Sequence, residues 1–267
     1  MSAVGVFDSG AGGLSVLAAI RAALPGLPIV YFADTAYAPY GPRSDQEIIE
    51  RTQLCCARLL DEGVGALVVA CNTATANGID ALRTWASVPV FGVEPGLKPA
   101  LAATRSGVVG VLATRATLAS RRYRELVDRV GAQAPGVRFI DGAAHGWVEL
   151  VESGELTGAH AQALVEAAVR PLLDQGADTL VLGCTHFPFL HARIAQAAPG
   201  VPLIETGPAV ARELQRRLPP ALAQDASATG PGGRAGIEFL SSGDRIQFAA
   251  LAGALLGIAH TTQTGRH

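Results

Sequence analysis

An α/β chain of two pseudo-symmetric, doubly wound parallel-sheet domains, with an active site in the cleft between them, is predicted by three observations. Short apolar runs alternate with amphipathic helical patterns, as parallel α/β architecture requires. A repeat runs through the chain. Ala66-Leu67-Val68-Val69-Ala70-Cys71-Asn72-Thr73 returns 113 residues later as Thr179-Leu180-Val181-Leu182-Gly183-Cys184-Thr185-His186. Val88-Pro89-Val90-Phe91 returns at the same distance as Val201-Pro202-Leu203-Ile204, and Val4-Gly5-Val6-Phe7 matches Val109-Gly110-Val111-Leu112. Finally, the polar motifs fall just beyond strand runs, where open α/β sheets bind ligands.

The strand runs are residues 4–7, 29–33, 66–70, 90–93, 108–112, 138–140, 179–183, 203–205 and 237–240. They are almost wholly apolar, as expected when helices cover both faces of a sheet. Helical patterns occupy 13–24, 45–62, 74–85, 118–130, 159–175, 189–198 and 209–217. Residues 95–99 read as a crossing between halves, 218–236 as a Pro-, Ala- and Gly-rich surface loop, and 263–267 as a disordered tail. The expected domains are 1–95 with a returning segment, 209–267, and 96–208.

Composition narrows the function classes. With 49% hydrophobic and 16% charged residues over 267 positions, the chain can bury a large core. A net charge of −2 gives no pull toward nucleic acid or anionic membranes. No basic leader with a long apolar run is present, nor any apolar stretch of membrane-spanning length, so a cytoplasmic location is expected. Four cysteines in that setting are free or catalytic rather than disulfide-paired. Lys98 is the only lysine and no motif surrounds it, so a pyridoxal Schiff base has no support.

Asp8-Ser9-Gly10-Ala11-Gly12-Gly13 follows the first strand and precedes a helix. Glycines there let backbone approach a ligand, and a helix N-terminus favours an anion. The run lacks the Lys-Ser/Thr of a phosphate loop. It is one residue off a dinucleotide fingerprint, in which Asp34 would be the ribose-binding acid, but Asp8 would sit badly beside a pyrophosphate. Cys71 and Cys184 each end a strand run before small polar residues, so a following helix N-terminus can tune each thiol. Taken singly, a strand-end cysteine is more often a small buried hydrophobe; recurrence at matched positions argues for chemistry. A zinc site from Cys71, Cys184 and His186 lacks ligand spacing. Cys55-Cys56 lies in a helical pattern with at least one thiol toward the core. Tyr37-Ala38-Pro39-Tyr40-Gly41-Pro42-Arg43 reads as an ordinary loop or as a cleft wall whose backbone N–H groups meet a carboxylate.

Asp8-Ser9-Gly10-Ala11-Gly12-Gly13-Leu14, Pro39-Tyr40-Gly41, Cys71-Asn72-Thr73-Ala74, Gly92-Val93-Glu94-Pro95, Ala113-Thr114-Arg115-Ala116-Thr117 and Gly183-Cys184-Thr185-His186-Phe187-Pro188 together resemble the glutamate racemases. These belong to the cofactor-independent aspartate/glutamate racemase superfamily. The resemblance spans about residues 3–258. It implies interconversion of L- and D-glutamate without metal or other cofactor, supplying D-glutamate for peptidoglycan. Cys71 and Cys184 would be the two bases, Cys71 acting on the D- and Cys184 on the L-enantiomer. Asp8 would assist Cys71; His186 and Glu152 would assist Cys184. Ser9, Tyr40, Gly41, Asn72, Thr73, Thr117 and Thr185 would hold the substrate, together with Asp8 and His186. Ala144-His145-Gly146-Trp147 departs from the Cys-Pro-Leu-Phe-like run expected before Glu152, whose register rests on Leu150-Val151-Glu152. A small-molecule substrate is the expected partner, and family members are often homodimers. An aspartate racemase with the same bases is the near alternative, and a non-catalytic binder of acidic amino acids the distant one.

Overall fold

The computed structural model describes residues 3–223 and 236–257. Two parallel sheets organise the chain. The first has the order β4-β3-β1-β2-β9, with β1 Val4–Asp8, β2 Ile29–Ala33, β3 Ala66–Val69, β4 Val90–Gly92 and β9 Ile237–Ser241. The second has the order β6-β5-β7-β8, with β5 Val108–Ala113, β6 Arg138–Ala143, β7 Thr179–Leu182 and β8 Leu203–Ile204. Superposing β1 on β5 carries β2, β3 and β4 onto β6, β7 and β8. The two cysteines therefore follow equivalent strands, β3 and β7, each beside the central strand of its sheet.

Alternate residues of each strand serve opposite faces. Val4 and Val6 join one apolar layer with Leu14, Leu17 and Ile20, while Phe7 joins the other with Ile48 and Leu59. In the second sheet Leu180 and Leu182 pack with Val165 and Val169, and Val181 packs with Tyr123 and Leu126. Helices on both faces explain why the strand runs carry no polar alternation.

The helices are α1 Leu14–Ala23, α2 Asp45–Asp61, α3 Asn72–Trp85, α4 Leu97–Ala103, α5 Arg115–Ala119, α6 Arg121–Gly131, α7 Trp147–Glu152, α8 Ala159–Asp174, α9 His191–Ala197, α10 Gly207–Arg217 and α11 Arg245–Leu256. Three were not expected. The expected crossing at 95–99, between β4 of the first sheet and β5 of the second, holds the start of α4, which tolerates Pro99 because a first-turn residue needs no intrahelical N–H partner. α7 is short, and α11 is set by Asp244, whose carboxylate accepts from Ile246 and Gln247 N–H. The helix expected over 118–130 is two. Ser120 adopts extended angles, φ −67° and ψ 147°, and its side chain caps α6 by accepting from Tyr123 N–H. The helix expected over 189–198 begins instead with a 3₁₀ turn at Phe187–Leu190. Residues 224–235 of the expected loop and the 263–267 tail lie outside the described residues.

Candidate active site

A cleft of about 960 Å³ opens at the carboxyl ends of both sheets, and Ser9, Tyr40, Gly41, Cys71, Asn72, Thr73, Cys184 and His186 are among its lining residues. Asp8, Glu152, Thr117 and Thr185 stand behind that lining, each bonded to residues near it or on it.

On the first sheet's side, Cys71 is the N-cap of α3, and its Sγ accepts from Ala74 N–H at 3.4 Å. Ser9 Oγ lies 3.4 Å from the same sulfur. Burial, and then the neighbouring Asp8 carboxylate, push the Cys71 thiol up to about 12. It is therefore overwhelmingly protonated near neutral pH. Asp8 is completely buried at the end of β1. Its Oδ1 accepts from Gly10 N–H at 2.7 Å and its Oδ2 from Thr185 Oγ1 at 3.3 Å, so one carboxyl joins both halves. Burial raises its pKa from 3.8 to about 6 against the opposing pull of His186.

The second side is a chain of proton-carrying groups. Cys184 Sγ lies 3.6 Å from His186 Nδ1, and His186 Nε2 lies 2.6 Å from Glu152 Oε1. Burial alone would depress the imidazole's pKa, but contact with Cys184 and Glu152 prevails and holds it well above its ordinary 6.5. Glu152 moves oppositely: burial is the largest single influence and would raise its pKa, but the hydrogen bond and charge of His186, with the Ala11 N–H, together prevail and lower it. The same Oε1 accepts Ala11 N–H at 2.7 Å. The structure thus brings Glu152 to His186 and to the first half's loop; in the divergent run before it, Trp147 packs edge-on against Phe187 at 4.7 Å between centroids.

This geometry revises the reading of the glycine loop. A Cβ at Gly10 would stand 2.0 Å from Glu152 Oε1, and one at Gly12 would stand 2.2 Å from His186 Nδ1. The glycines make room for side chains of the other half, and the anion at the loop is the Glu152 carboxylate.

The hydroxyl and amide residues divide by availability. The Asn72 amide is buried in the cleft wall with neither its oxygen nor its nitrogen hydrogen-bonded. A ligand is the natural partner for such a group. Thr73, Thr114 and Thr117 form a triangle of hydroxyls with edges of 3.0, 3.0 and 3.5 Å, bridging the two halves. Tyr40 lines the cleft, but its hydroxyl donates to Asp34 Oδ2 at 2.6 Å and is not a free donor. Asp34 is also paired with Arg51, so it is unavailable to a ribose. The sequence reading places Thr114 within a motif but gives it no role at the site. The match of residue 4 with 109 would have found it, because that register sets Thr114 opposite Ser9. Cys55 and Cys56 are both fully buried, and burial pushes both thiols up.

The family model described as Asp/Glu/hydantoin racemase matches residues 9–214. A curated glutamate racemase from Herpetosiphon aurantiacus is 48% identical over 93% of this chain and 95% of its own. A glutamate racemase isoform from Bacillus anthracis superposes with a TM-score of 0.81 at 32% identity, covering 96% of this chain and 94% of that one. The Escherichia coli glutamate racemase, solved with L-glutamate and the activator UDP-MurNAc-Ala, superposes at 0.78 and 32% identity over 96% and 95%.

Proposed function

The chain belongs to the Asp/Glu/hydantoin racemase family, and on that premise we propose that it interconverts L- and D-glutamate by two-base proton transfer at Cα. The observation that carries this reading is the pair of thiols on one cleft, from equivalent strand ends, each with polar company of its own: Ser9 in contact with Cys71 and the Asp8 charge near enough to raise that thiol, His186 in contact with Cys184 and Glu152 behind His186. A binding module has no need of that chemistry.

L-glutamate is bound with its Cα–H toward Cys184. With its own proton held by His186, which Glu152 supports, the Cys184 sulfur acts as a thiolate, takes the Cα proton and becomes a thiol. The electron pair left on Cα spreads into the α-carboxylate, where the Ser9, Asn72 and Thr73 donors and the α3 N-terminus offset the developing charge, and Thr185 acts through Asp8. Cys71 then delivers its proton to the opposite face. Burial and the Asp8 carboxylate hold the Cys71 thiol far above its ordinary range, so Cys71 rests protonated, as the donor. Asp8, near 6, is matched to exchange that proton with its surroundings at neutral pH. Backbone N–H groups of Tyr40 and Gly41 receive the distal carboxylate. Thr117 acts through Thr73.

The same reading divides the chain at 95 and 208, with 209–267 returning to the first domain, and gives it a cytoplasmic role supplying D-glutamate to peptidoglycan, as a homodimer needing no cofactor. No described helix is long and apolar enough to cross a membrane.

The test is incubation with L-glutamate in deuterium oxide without added cofactor, following loss of the Cα–H signal and product chirality together. Deuterated D-glutamate is expected. Exchange with aspartate but not glutamate would move the substrate assignment, and tight glutamate binding without exchange would leave a binding module.

A further inference from the structure

The Tyr40–Gly41 wall is held from behind by a cluster that plays no part in the proton transfers. Asp34, one residue beyond β2, is fully buried. Its Oδ2 accepts from the Tyr40 hydroxyl at 2.6 Å and from Arg51 Nε at 3.0 Å, and its Oδ1 accepts from Arg51 Nη2 at 2.7 Å. Its backbone carbonyl accepts from Tyr37 and Ala38 N–H at 3.0 and 3.1 Å. Arg51, on α2, lays its guanidinium 3.6 Å from the Tyr37 ring centroid. One residue therefore grips the loop twice, by its backbone at Tyr37–Ala38 and by its side chain at Tyr40. Across the cleft, a Cβ at Gly41 would reach Thr114 Cβ at 3.8 Å, so this wall meets the other half directly.

We propose that Asp34 and Arg51 are positioning residues that set the Tyr40–Gly41 segment against the distal carboxylate of the substrate, and so match the cleft to the length of its side chain. The inference rests on the glutamate reading. A bidentate arginine fixes the plane of the Asp34 carboxylate, and that plane fixes where the Tyr40 hydroxyl is drawn. With the hydroxyl held by Asp34, Tyr40 presents its backbone to the cleft. Stacking on Tyr37 keeps the guanidinium flat while it makes both bonds. Lysine preserves the charge but neither the fork nor the stack, so Arg51→Lys loosens the wall without leaving Asp34 an unpaired buried anion.

The experiment compares wild type, Arg51→Lys, Tyr40→Phe and the double variant by initial rates from both enantiomers, by melting, and by amide hydrogen exchange. Arg51→Lys is expected to raise KM about tenfold in both directions while kcat stays within about threefold, since a displaced substrate contact weakens binding. Because both substitutions act through one carboxylate, their KM effects are expected to be less than multiplicative in the double variant. Unchanged KM with lowered melting and kcat would reduce the cluster to a structural one and overturn the proposal. Multiplicative KM effects would overturn it too. Should wild type fail to turn over glutamate, the substrate reading falls, and amide exchange still decides the brace. Faster exchange confined to residues 37–43 in Arg51→Lys supports it, and an unchanged rate sinks it.

Discussion

Asp8→Asn is expected to stabilise the protein at neutral pH while disabling it. Asn keeps an acceptor for Gly10 N–H and can donate to Thr185 Oγ1, so the local geometry survives. What it removes is a fully buried carboxyl whose pKa rises from 3.8 to about 6 on folding. A group that holds its proton more tightly folded than unfolded loses stability as pH rises between those values, and the loss is constant above them. At ~1.4 kcal/mol per pH unit that interval corresponds to about 3 kcal/mol. The variant should therefore match wild type near pH 4 and exceed it by up to about 3 kcal/mol at pH 7.5, or about 6 °C in melting temperature. Urea and thermal unfolding of both proteins across pH 4–8 measure this directly. Activity should fall by about 10²-fold or more, as for loss of a general acid/base group. A stability difference that is the same at pH 4 and pH 7.5 would refute the assignment of strain to this carboxyl.

Other expectations follow from the same geometry. Cys71→Ser and Cys184→Ser should each abolish racemisation, read by product chirality; near-wild-type turnover in either would end the two-base mechanism. Gly10→Ala forces Glu152 Oε1 away from a Cβ built 2.0 Å from it, so a loss of about tenfold or more in kcat is expected, and unchanged kinetics would show that the contact is slack. Glu152→Gln removes the carboxylate that helps hold His186 well above 6.5. The imidazole should then lose its proton at lower pH, shifting the corresponding limb of the pH–rate profile toward acid. A limb that stays in place would place His186 outside that titration. Relieving Asn72 of its unpartnered amide by Asn72→Leu should cost substrate affinity more than stability, compared by KM and melting.

Much of the architecture is legible locally. A strand covered on both faces must be apolar throughout, and a helix over a sheet must carry one apolar stripe, so nine short runs and most helices can be read from neighbouring residues. The repeat shows that two thiols occupy equivalent strand ends. Short-range capping is harder to read: Ser120 divides an otherwise continuous pattern because its side chain, rather than any change in hydrophobicity, starts α6.

The proton partners are another matter. The resemblance could name Glu152 as an assistant, but only tertiary structure brings its carboxylate to Ala11 N–H, 141 residues away in the chain, and Asp8 to Thr185, 177 residues away. Nor could sequence tell that Gly10 and Gly12 clear space for the other half rather than for a ligand, or that Asp34 takes the Tyr40 hydroxyl out of the cleft. Composition and periodicity report what each residue needs from its surroundings, apolar cover or a polar partner. Which partner satisfies that need, and how far burial moves a proton's affinity, is set by the docking of one sheet's loops on the other's, an arrangement of distances that no local pattern encodes.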